Sequence, residues 1–309
     1  MNFVTGYHRH IGAGIKPLLA TSADKVRAWF GDRAAREFAA GLCENLPLLA
    51  SLPHVKMCWA ESRGAVHGFA LGLQRPEVME LPLLLVASPN QAASYTANTV
   101  ANGLTAQMGH MAIACHARWL VLDGLPFTDV SSESFGGASS FTSVVRELMR
   151  AELPSAESGG GNRSEILTKD EVGRAAQCLY EAYLDSVHPE FFSETHAFHF
   201  VAQVVKGEYG PVLPAYLRVF RREGRVAAVG LGTRLFSDVG FVMHLAVLPS
   251  HRGQGLGFNM LLDLCAAFAQ TGCRQVALAV TQGNPAARLY RRAGFAPLGA
   301  YRAYFAQFF

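Results

Sequence analysis

The sequence predicts a mixed α/β protein made of two tandem domains. Three observations lead to this prediction: a length of 309 residues, a glycine-rich segment near the midpoint, and one hairpin pattern that occurs in both halves. A chain of this length commonly forms about two domains. Half of the residues are hydrophobic and 17% are charged, so each half has enough apolar side chain to bury a core.

The clearest change in composition lies between Leu153 and Ser164. This segment reads L-P-S-A-E-S-G-G-G-N-R-S. A proline, three consecutive glycines and small polar residues are typical of a linker. We therefore predict a first domain over residues 1–150, a linker over 151–164 and a second domain over 165–309.

The two halves resemble each other in sequence. At one constant offset, the segment 59–73 aligns with 219–233, with glycine and valine at matching positions. Each segment reads as two strands around a polar turn, which indicates a hairpin. The same offset aligns residues 84–89 with 244–249. A tandem duplication explains both alignments; the alternative is two unrelated α/β domains with similar hairpins.

Hydrophobic periodicity gives the order of elements in the second half. The order is α-α-β-β-β-α-β-α-β, which is a mixed α/β domain. The predicted elements are helices over 169–184 and 196–206, strands over 214–220, 225–235 and 240–248, a helix over 257–270, a strand over 275–280, a helix over 284–292 and a strand over 301–308.

Charge and composition exclude several classes of partner. The net charge is +3, without the clusters of Lys and Arg that mark a nucleic-acid surface. No stretch reaches the roughly 18 apolar residues of a membrane span. Residues 1–17 carry polar residues where a signal peptide has its apolar core. The six cysteines form no C-x-x-C pair, which indicates buried free thiols. We predict a cytoplasmic protein that binds neither nucleic acid nor membrane.

The segment from Leu245 to Gly257 carries the clearest chemical signal. It reads L-A-V-L-P-S-H-R-G-Q-G-L-G, a strand, a glycine-rich turn and the start of an amphipathic helix. Glycines adopt positive φ, and unpaired N–H groups at a helix start attract anions. This order predicts a diphosphate site. Because the spacing matches neither G-x-G-x-x-G nor the P-loop, a plain tight turn is the alternative.

In and after this segment, the sequence resembles a known family. Val247–Gly257 has the form V-x-P-x-x-R-G-x-G-x-G, which resembles the acyl-coenzyme A signature of the GNAT acyltransferase superfamily. Asn284–Phe295, N-P-A-A-R-L-Y-R-R-A-G-F, is similar to the family's second motif. The resemblance implies two tandem GNAT-like domains, each a mixed, mostly antiparallel sheet flanked by helices. The second would use acetyl-CoA, without a metal, to acetylate an amine.

The resemblance also implies roles for individual residues. Tyr290 would protonate the leaving thiolate as a general acid, or it is only a packed aromatic residue. His244 stands where many relatives carry an acidic residue, and it is either the base or a buried structural histidine. The coenzyme-binding residues would be Leu245, Ala246 and Val247 on the strand, Arg252, Gly253, Gln254, Gly255, Leu256 and Gly257 in the cradle, and Asn284 at the pantetheine arm.

The first half departs from the coenzyme-binding pattern. At the constant offset, Arg252 aligns with Ala92, Gly255 with Tyr95 and Gly257 with Ala97. The region 124–141 has no counterpart of the second motif. We therefore predict that the first domain is degenerate and does not bind coenzyme A productively.

The remaining candidate residues are pairs of histidines and a group of loop charges. The pairs His8/His10 and His196/His199 lack further metal ligands, so we predict no metal site. Charged residues between the first two helices of the second domain, where the family often lines its acceptor site, are either solvated or steer a cationic amine. They are Asp185, His188, Glu190, Glu194 and His196.

The sequence is consistent with three functions of the whole protein. The first is an N-acetyltransferase that acts on a primary amine of a small molecule or a protein N-terminus. The second is a non-catalytic acyl-CoA-binding or interaction protein. The third is an acetyltransferase similar to mycothiol synthase, which shares the tandem plan. The high apolar fraction also makes a homodimer plausible.

Overall fold

The computed structural model describes residues 1–6, 11–87, 96–124, 130, 135, 137–154, 164–186 and 190–308. The chain forms two compact units. Unit 1 consists of Met1–Val145 and Tyr301–Phe309, and unit 2 consists of Arg146–Ala300.

Unit 1 contains a sheet with the strand order β1-β2-β3-β4-β5-β12. All neighbours are antiparallel except β4 and β5, which are parallel. Its elements are β1 (Asn2–Thr5), α1 (Ile11–Gly14), α2 (Lys16–Phe30), α3 (Asp32–Ser51), β2 (Val55–Ser62), β3 (Ala65–Gln74), β4 (Val78–Val86), α4 (Ala97–Ala114), β5 (Trp119–Leu122) and the end of β12 (Ala296–Gln307).

Unit 2 contains a sheet with the order β6-β11-β10-β9-β8-β7. Only β10 and β11 run parallel. Its elements are β6 (Ser140–Glu152) from Arg146 onward, β7 (Glu165–Ile166), α5 (Val172–Tyr183), α6 (Glu194–Lys206), β8 (Leu217–Arg222), β9 (Arg225–Phe236), β10 (Val239–Val247), α7 (Leu256–Gln270), β11 (Gln275–Thr281), α8 (Ala286–Arg292) and the first residues of β12.

Helix α7 packs closely on the sheet of unit 2. Its predicted apolar face is buried and includes Met260, Leu264 and Phe268. Glycines opposite these side chains allow the close approach, because a Cβ added to Gly240 would lie 2.5 Å from two atoms of the Phe268 ring. This packing fixes the distance between the sheet and α7, whose N-terminus follows the glycine-rich turn.

Buried polar contacts hold the end of the predicted linker. The Ser164 N–H donates to the Asp263 carboxylate on α7 at 2.6 Å. The Arg218 guanidinium on β8 donates to the Ser164 carbonyl at 2.7 Å. All three side chains are buried, so their polar groups need these partners. Linker residues 155–163 lie outside the described residues.

The predicted fold class, a mixed α/β structure with mostly antiparallel sheets, is confirmed. The predicted elements of the second half are present, with shifts at several ends. Residues 169–171 form a 3₁₀ turn before α5, α6 begins at Glu194 instead of residue 196, and β8 ends at Arg222 instead of residue 220. Residues 214–216 form a 3₁₀ turn before β8 because Pro214 lies at its first turn. Helix α8 begins at Ala286 instead of residue 284, and β12 begins at Ala296 instead of residue 301.

The repeated hairpins share fine details of backbone geometry. The β2–β3 turn has Arg63 at φ 51° and Gly64 at φ 77°, and the β8–β9 turn has Glu223 at φ 51° and Gly224 at φ 76°. Each hairpin also has a register shift at the matching place, between Ala60 and Glu61 and between residues 220 and 221. A tandem duplication accounts for this agreement.

The compact units differ from the predicted domains at two strands. Residues 146–152 of β6 pair with β11 in unit 2, although the sequence placed most of them in the first domain. Residues 304–307 of β12 pair with β5 in unit 1. Strand membership depends on distant pairing partners, and no local pattern reveals these.

Candidate active site

The parallel strands β10 and β11 separate partway along their length. They pair from Val239 to Val242 only, whereas β10 continues to Val247 and β11 to Thr281. A register shift between Val242 and His244 in the β9–β10 pairing marks a bulge at Met243. Bulges bend a strand and increase its twist. The bulge therefore lies where the two strands begin to part and a cleft opens beside β10.

The backbone of β10 presents to this cleft groups that pair with no other strand. The Val247 carbonyl accepts from the Arg252 side chain at 3.2 Å, and the Leu245 N–H faces the Tyr183 hydroxyl. The Leu248 N–H donates to the Ala227 carbonyl on the β9 side at 2.9 Å. Because backbone groups alternate along a strand, Ala246 also faces β9, and Leu245 and Val247 face the cleft. The coenzyme-binding role of Leu245 and Val247 stays a prediction, and the backbone of Ala246 is directed away from the cleft.

The glycine-rich turn after β10 is open to solvent. Residues 252–255 are exposed, and Gly253 and Gly255 adopt φ 76° and 77°. No described group accepts a hydrogen bond from the N–H of Gly253, Gln254 or Gly255. Helix α7 starts at Leu256 with no side-chain cap. These free N–H groups and the positive end of the helix dipole are suited to bind an anion.

Arg252 differs from the rest of the predicted cradle. Its own N–H donates to the Pro249 carbonyl at 3.3 Å, inside the turn. Its guanidinium forms two hydrogen bonds with the Asp185 carboxylate, at 2.6 and 2.9 Å, and one with the Ala182 carbonyl at 2.7 Å. Its Nε donates to the Val247 carbonyl at 3.2 Å. Arg252 thus ties the turn to the end of α5, and these bonds lower the pKa of Asp185.

Gly257 and Asn284 shape the neighbourhood of the cleft. A Cβ at Gly257 would lie 3.3 Å from Leu289 on α8, so glycine allows α7 and α8 to approach each other. The Asn284 Oδ1 accepts a hydrogen bond from the Ala286 N–H at 2.9 Å, which fixes the start of α8. The Nδ2 of Asn284 has no bonding partner among the described residues, so it is available to a ligand.

Comparisons with known proteins agree with this geometry. Residues 170–295 match the sequence model of the Acetyltransferase (GNAT) family. This segment is a GNAT acetyltransferase domain. The GNAT domain thus includes the cleft, the open turn and α8.

Solved structures of GNAT proteins share the fold of the whole chain. A GCN5-related N-acetyltransferase from Sphaerobacter thermophilus has a TM-score of 0.59 and 15% identity, covering 99% of this chain and 96% of that one. A tandem GNAT protein from the clavulanic acid biosynthesis pathway has a TM-score of 0.55 and 15% identity, covering 100% and 99%. A GNAT-family acetyltransferase from Colwellia psychrerythraea has a TM-score of 0.53 and 13% identity, covering 99% and 100%.

Tyr290 lies on α8 of the GNAT domain with its side chain buried. No described group forms a hydrogen bond with its hydroxyl. Burial raises the pKa of Tyr290 above its ordinary value, and the negative charge of Glu190 raises it further. The hydroxyl therefore stays protonated at neutral pH and can donate a proton or a hydrogen bond.

His244 lies in a ring cluster beside the cleft. Its ring centroid is 4.8 Å from that of Phe200 and 5.1 Å from that of Phe191, and its Nδ1 is 3.3 Å from the Tyr183 hydroxyl. Burial lowers the pKa of His244 to about 4, with a smaller raising effect from Glu190 and a lowering effect from Arg146. His244 is thus neutral at pH 7, and so weak a base has little driving force to take a proton from an ammonium.

Three further residues line this region, and the sequence assigned neither Tyr183 nor Arg146 to the site. The Tyr183 hydroxyl contacts His244, and burial raises its pKa well above the ordinary value. Arg146 forms a two-bond ion pair with Glu190. Glu190 was one of the five candidate loop charges. Tyr183 lies near the end of the predicted helix over 169–184, where its sequence position resembles that of an ordinary core residue. Arg146 lies in the half of the sequence that was predicted to be the first domain.

The remaining candidates have ordinary structural surroundings or are not described. His196 stacks on Phe192 with ring centroids 5.3 Å apart. Residues 8, 10 and 188 lie outside the described part of the chain. Within that part, no group of three or more potential ligands could hold a metal ion, the cysteines carry free thiols, and no helix is both long and apolar enough to cross a membrane.

The low pKa of His244 predicts a pH-dependent loss of stability. Between pH 6.5 and about 4 the unfolded chain protonates this ring and the folded chain does not, so the stability due to neutral His244 is lost as the pH falls through this range. We expect His244→Gln to reduce the drop in thermal midpoint between pH 7 and pH 4.5, measured by calorimetry. His199→Gln on α6 is the control and should follow the wild type. Equal drops in wild type and His244→Gln would contradict the prediction.

Proposed function

We propose that the GNAT domain is an acetyl-CoA-dependent N-acetyltransferase that acetylates a primary amine of a small molecule or a protein N-terminus. The observation that carries this proposal is the open turn at 253–255, which adjoins the unpaired edge of β10. One surface thus offers free N–H groups for a diphosphate and an extended backbone for the amides of a pantetheine arm.

The residues present fit coenzyme A as a substrate. The N–H groups of Gly253–Gly257 would hold the diphosphate, since the turn is exposed and a Cβ at Gly253 would meet nothing within 4 Å. Leu245 and Val247 would bond the pantetheine arm in the manner of an added strand. The Asn284 Nδ2 would supply a further donor. The thioester supplies an acetyl group and a thiol leaving group.

Tyr290 is the proton donor of the proposed reaction. A departing thiolate needs a proton, and the raised pKa of Tyr290 keeps its hydroxyl protonated. The attacking nitrogen loses one proton to solvent as the amide forms, and Tyr290 regains its proton from solvent, so the transfer balances. The N–H group of Val247 on β10 would donate to the thioester carbonyl and stabilise negative charge on its oxygen. The acceptor amine has to react in its neutral form, because an ammonium has no lone pair. His244 is already neutral, and its part in the proposal is to hold the ring cluster and Tyr183.

We also propose that unit 1 has no coenzyme site. Its helix α4 corresponds in sequence to α7, but it starts at Ala97 after Thr96, whose hydroxyl accepts a hydrogen bond from the Thr99 N–H at 3.2 Å. This cap uses an N–H group that an anion would need. In addition, the Tyr304 hydroxyl accepts from the Val130 N–H at 3.2 Å, and the rings of Phe135 and Tyr304 pack in the core of this unit.

The first experiment tests the cradle together with the activity. We expect the full-length protein to release free thiol from acetyl-CoA in the presence of one or more members of a primary-amine panel. Gly255→Glu introduces a negative charge and a side chain at φ 77°, so it should weaken acetyl-CoA binding about tenfold or more by calorimetry.

The matched control for this experiment lies at the other end of the same helix. Gly272→Glu adds the same charge at φ 90°, in open space, and should bind acetyl-CoA as the wild type does. An unchanged affinity in Gly255→Glu would refute the cradle. Binding without turnover on any amine would instead favour a non-catalytic acyl-CoA-binding protein.

Removal of the Tyr290 hydroxyl tests the proton donor. We expect Tyr290→Phe to lower kcat by about 10²-fold or more, with an unchanged Kd for acetyl-CoA. Tyr180→Phe on α5 removes a hydroxyl from a half-buried residue outside the proposed machinery and should leave kcat unchanged. Unchanged turnover in Tyr290→Phe would remove this residue as the acid but not the transferase activity.

The stoichiometry of binding tests the degenerate first half. Titration of the full-length protein with acetyl-CoA should give one site per chain, and Gly255→Glu should weaken that site. Two equivalent sites, or one site unaffected by Gly255→Glu, would show that unit 1 binds the coenzyme.

A further inference from the structure

Unit 2 contains a buried ion pair that neither the motifs nor the proposed chemistry uses. Arg146 Nη1 lies 2.7 Å from Glu190 Oε1, and Nη2 lies 2.9 Å from Oε2. The side chains are only 6% and 17% exposed. Burying two charges removes both from water, and their attraction often only offsets this cost. Stability alone is therefore a weak reason for such a pair, whereas its two parallel bonds fix geometry strongly.

The guanidinium is anchored at the end of β11. Arg146 and Thr281 are direct register partners between β6 and β11. Arg146 Nη1 also donates to Thr281 Oγ1 at 2.6 Å, and the Thr281 carbonyl accepts from the Asn284 N–H at 3.0 Å. The cation is thus tied to the point where β11 ends and the turn towards α8 and Tyr290 begins.

The carboxylate is attached to the segment that precedes α6. Glu190 is followed by Phe191, which is buried. The Phe191 ring lies 5.9 Å from Tyr183, 5.4 Å from Phe200 and 5.1 Å from His244, measured between centroids. Fixing Glu190 therefore limits the positions of Phe191 and of the rings around it.

The pair also lies within electrostatic reach of the proposed reaction centre. The Glu190 carboxylate raises the pKa of Tyr183, Tyr290 and His244. Arg146 opposes this effect at Tyr183 and His244. Because the two charges compensate each other, the pair brings little net charge to an otherwise aromatic wall.

We propose that Arg146 and Glu190 are a positioning pair for acetyl transfer, which holds the segment before α6 against the end of β11 and so sets Phe191, His244 and Tyr183 beside Tyr290. This inference rests on the proposed function. It assigns no proton transfer to Glu190, because both of its oxygens accept hydrogen bonds from Arg146.

Three conservative variants test the pair. Glu190→Asp keeps the charge but shortens the side chain, Glu190→Gln keeps the length but loses the charge, and Arg146→Lys keeps the charge but loses the planar fork. If geometry is what the pair supplies, all three should lower kcat by about 10- to 100-fold. Their Kd for acetyl-CoA should stay within about twofold of the wild type.

Glu147→Gln is the matched control for these variants. Glu147 follows Arg146 directly on β6. Its replacement breaks another Arg–Glu pair, in which Arg291 Nη2 lies 3.0 and 3.2 Å from the Glu147 carboxylate oxygens. That pair is partly exposed, so its loss should change little. A kcat of the control equal to that of the wild type is expected.

Hydrogen–deuterium exchange supplies a readout that needs no turnover. A peptide covering residues 190–193 should exchange faster in the three variants than in the wild type or Glu147→Gln, at an unchanged thermal midpoint. This readout separates the positioning pair from the proposed function, which fails instead if the wild type acetylates no amine.

Two results would overturn the inference. The first is an unchanged exchange rate in the three variants. The second is full kcat in Glu190→Asp when Glu190→Gln has lost it, because the charge of Glu190 and not its position would then matter. If one Glu190 variant fails to fold, the other Glu190 variant replaces it. Arg146→Lys tests the same geometry from the opposite side of the pair.

Discussion

The site depends on the end of hydrogen bonding between β10 and β11. The two strands pair in parallel to Val242 and then part, next to a bulge at Met243. A parallel sheet that continued to Val247 would use the N–H and C=O groups of Leu245 and Val247 within itself. Because the pairing ends, the backbone of Leu245 and Val247 faces a cleft and is bonded there to side chains, the Val247 carbonyl to Arg252 and the Leu245 N–H to Tyr183, instead of to a strand. Every other part of the proposed site is arranged around this opening, including the turn at its end and α8 at its side.

The environment of the cleft determines which groups can exchange protons. Burial holds Tyr290 and Tyr183 in their protonated forms and His244 in its neutral form. In each case desolvation is the main cause of the pKa shift. The charge of Glu190 modifies all three pKa values, and that of Arg146 modifies those of Tyr183 and His244. The aromatic wall therefore offers hydroxyl donors and very little base strength. In the proposed reaction, this environment suits the protonation of a departing thiolate better than the deprotonation of an ammonium, so the proposed acceptor has to arrive as, or become, a neutral amine.

The two halves show how one architecture can carry two different helix starts. Their hairpins share the same turn conformation and the same place of register shift. They differ at the helix that follows the third strand of each repeat. In unit 2 the helix starts after Gly255, at φ 77°, with no side-chain cap. In unit 1 it starts after Thr96, whose side chain takes one of the N–H groups. The difference is local and chemical, while the framework is the same.

The sequence by itself determined the elements of the second half, the repeat, the family and the glycine-rich turn, because these depend on local periodicity and on glycines that lie close together in the chain. It also indicated Tyr290 and Asn284 through a contiguous motif. Only the tertiary structure decided that Ala246 faces away from the cleft, that Arg252 pairs with Asp185, and that His244 is a neutral ring in an aromatic cluster. The partnership of Arg146 with Glu190 was equally hidden. The two residues lie far apart in the chain. Arg146 reaches this position because β6 pairs with β11, and local sequence patterns do not reveal such long-range pairing.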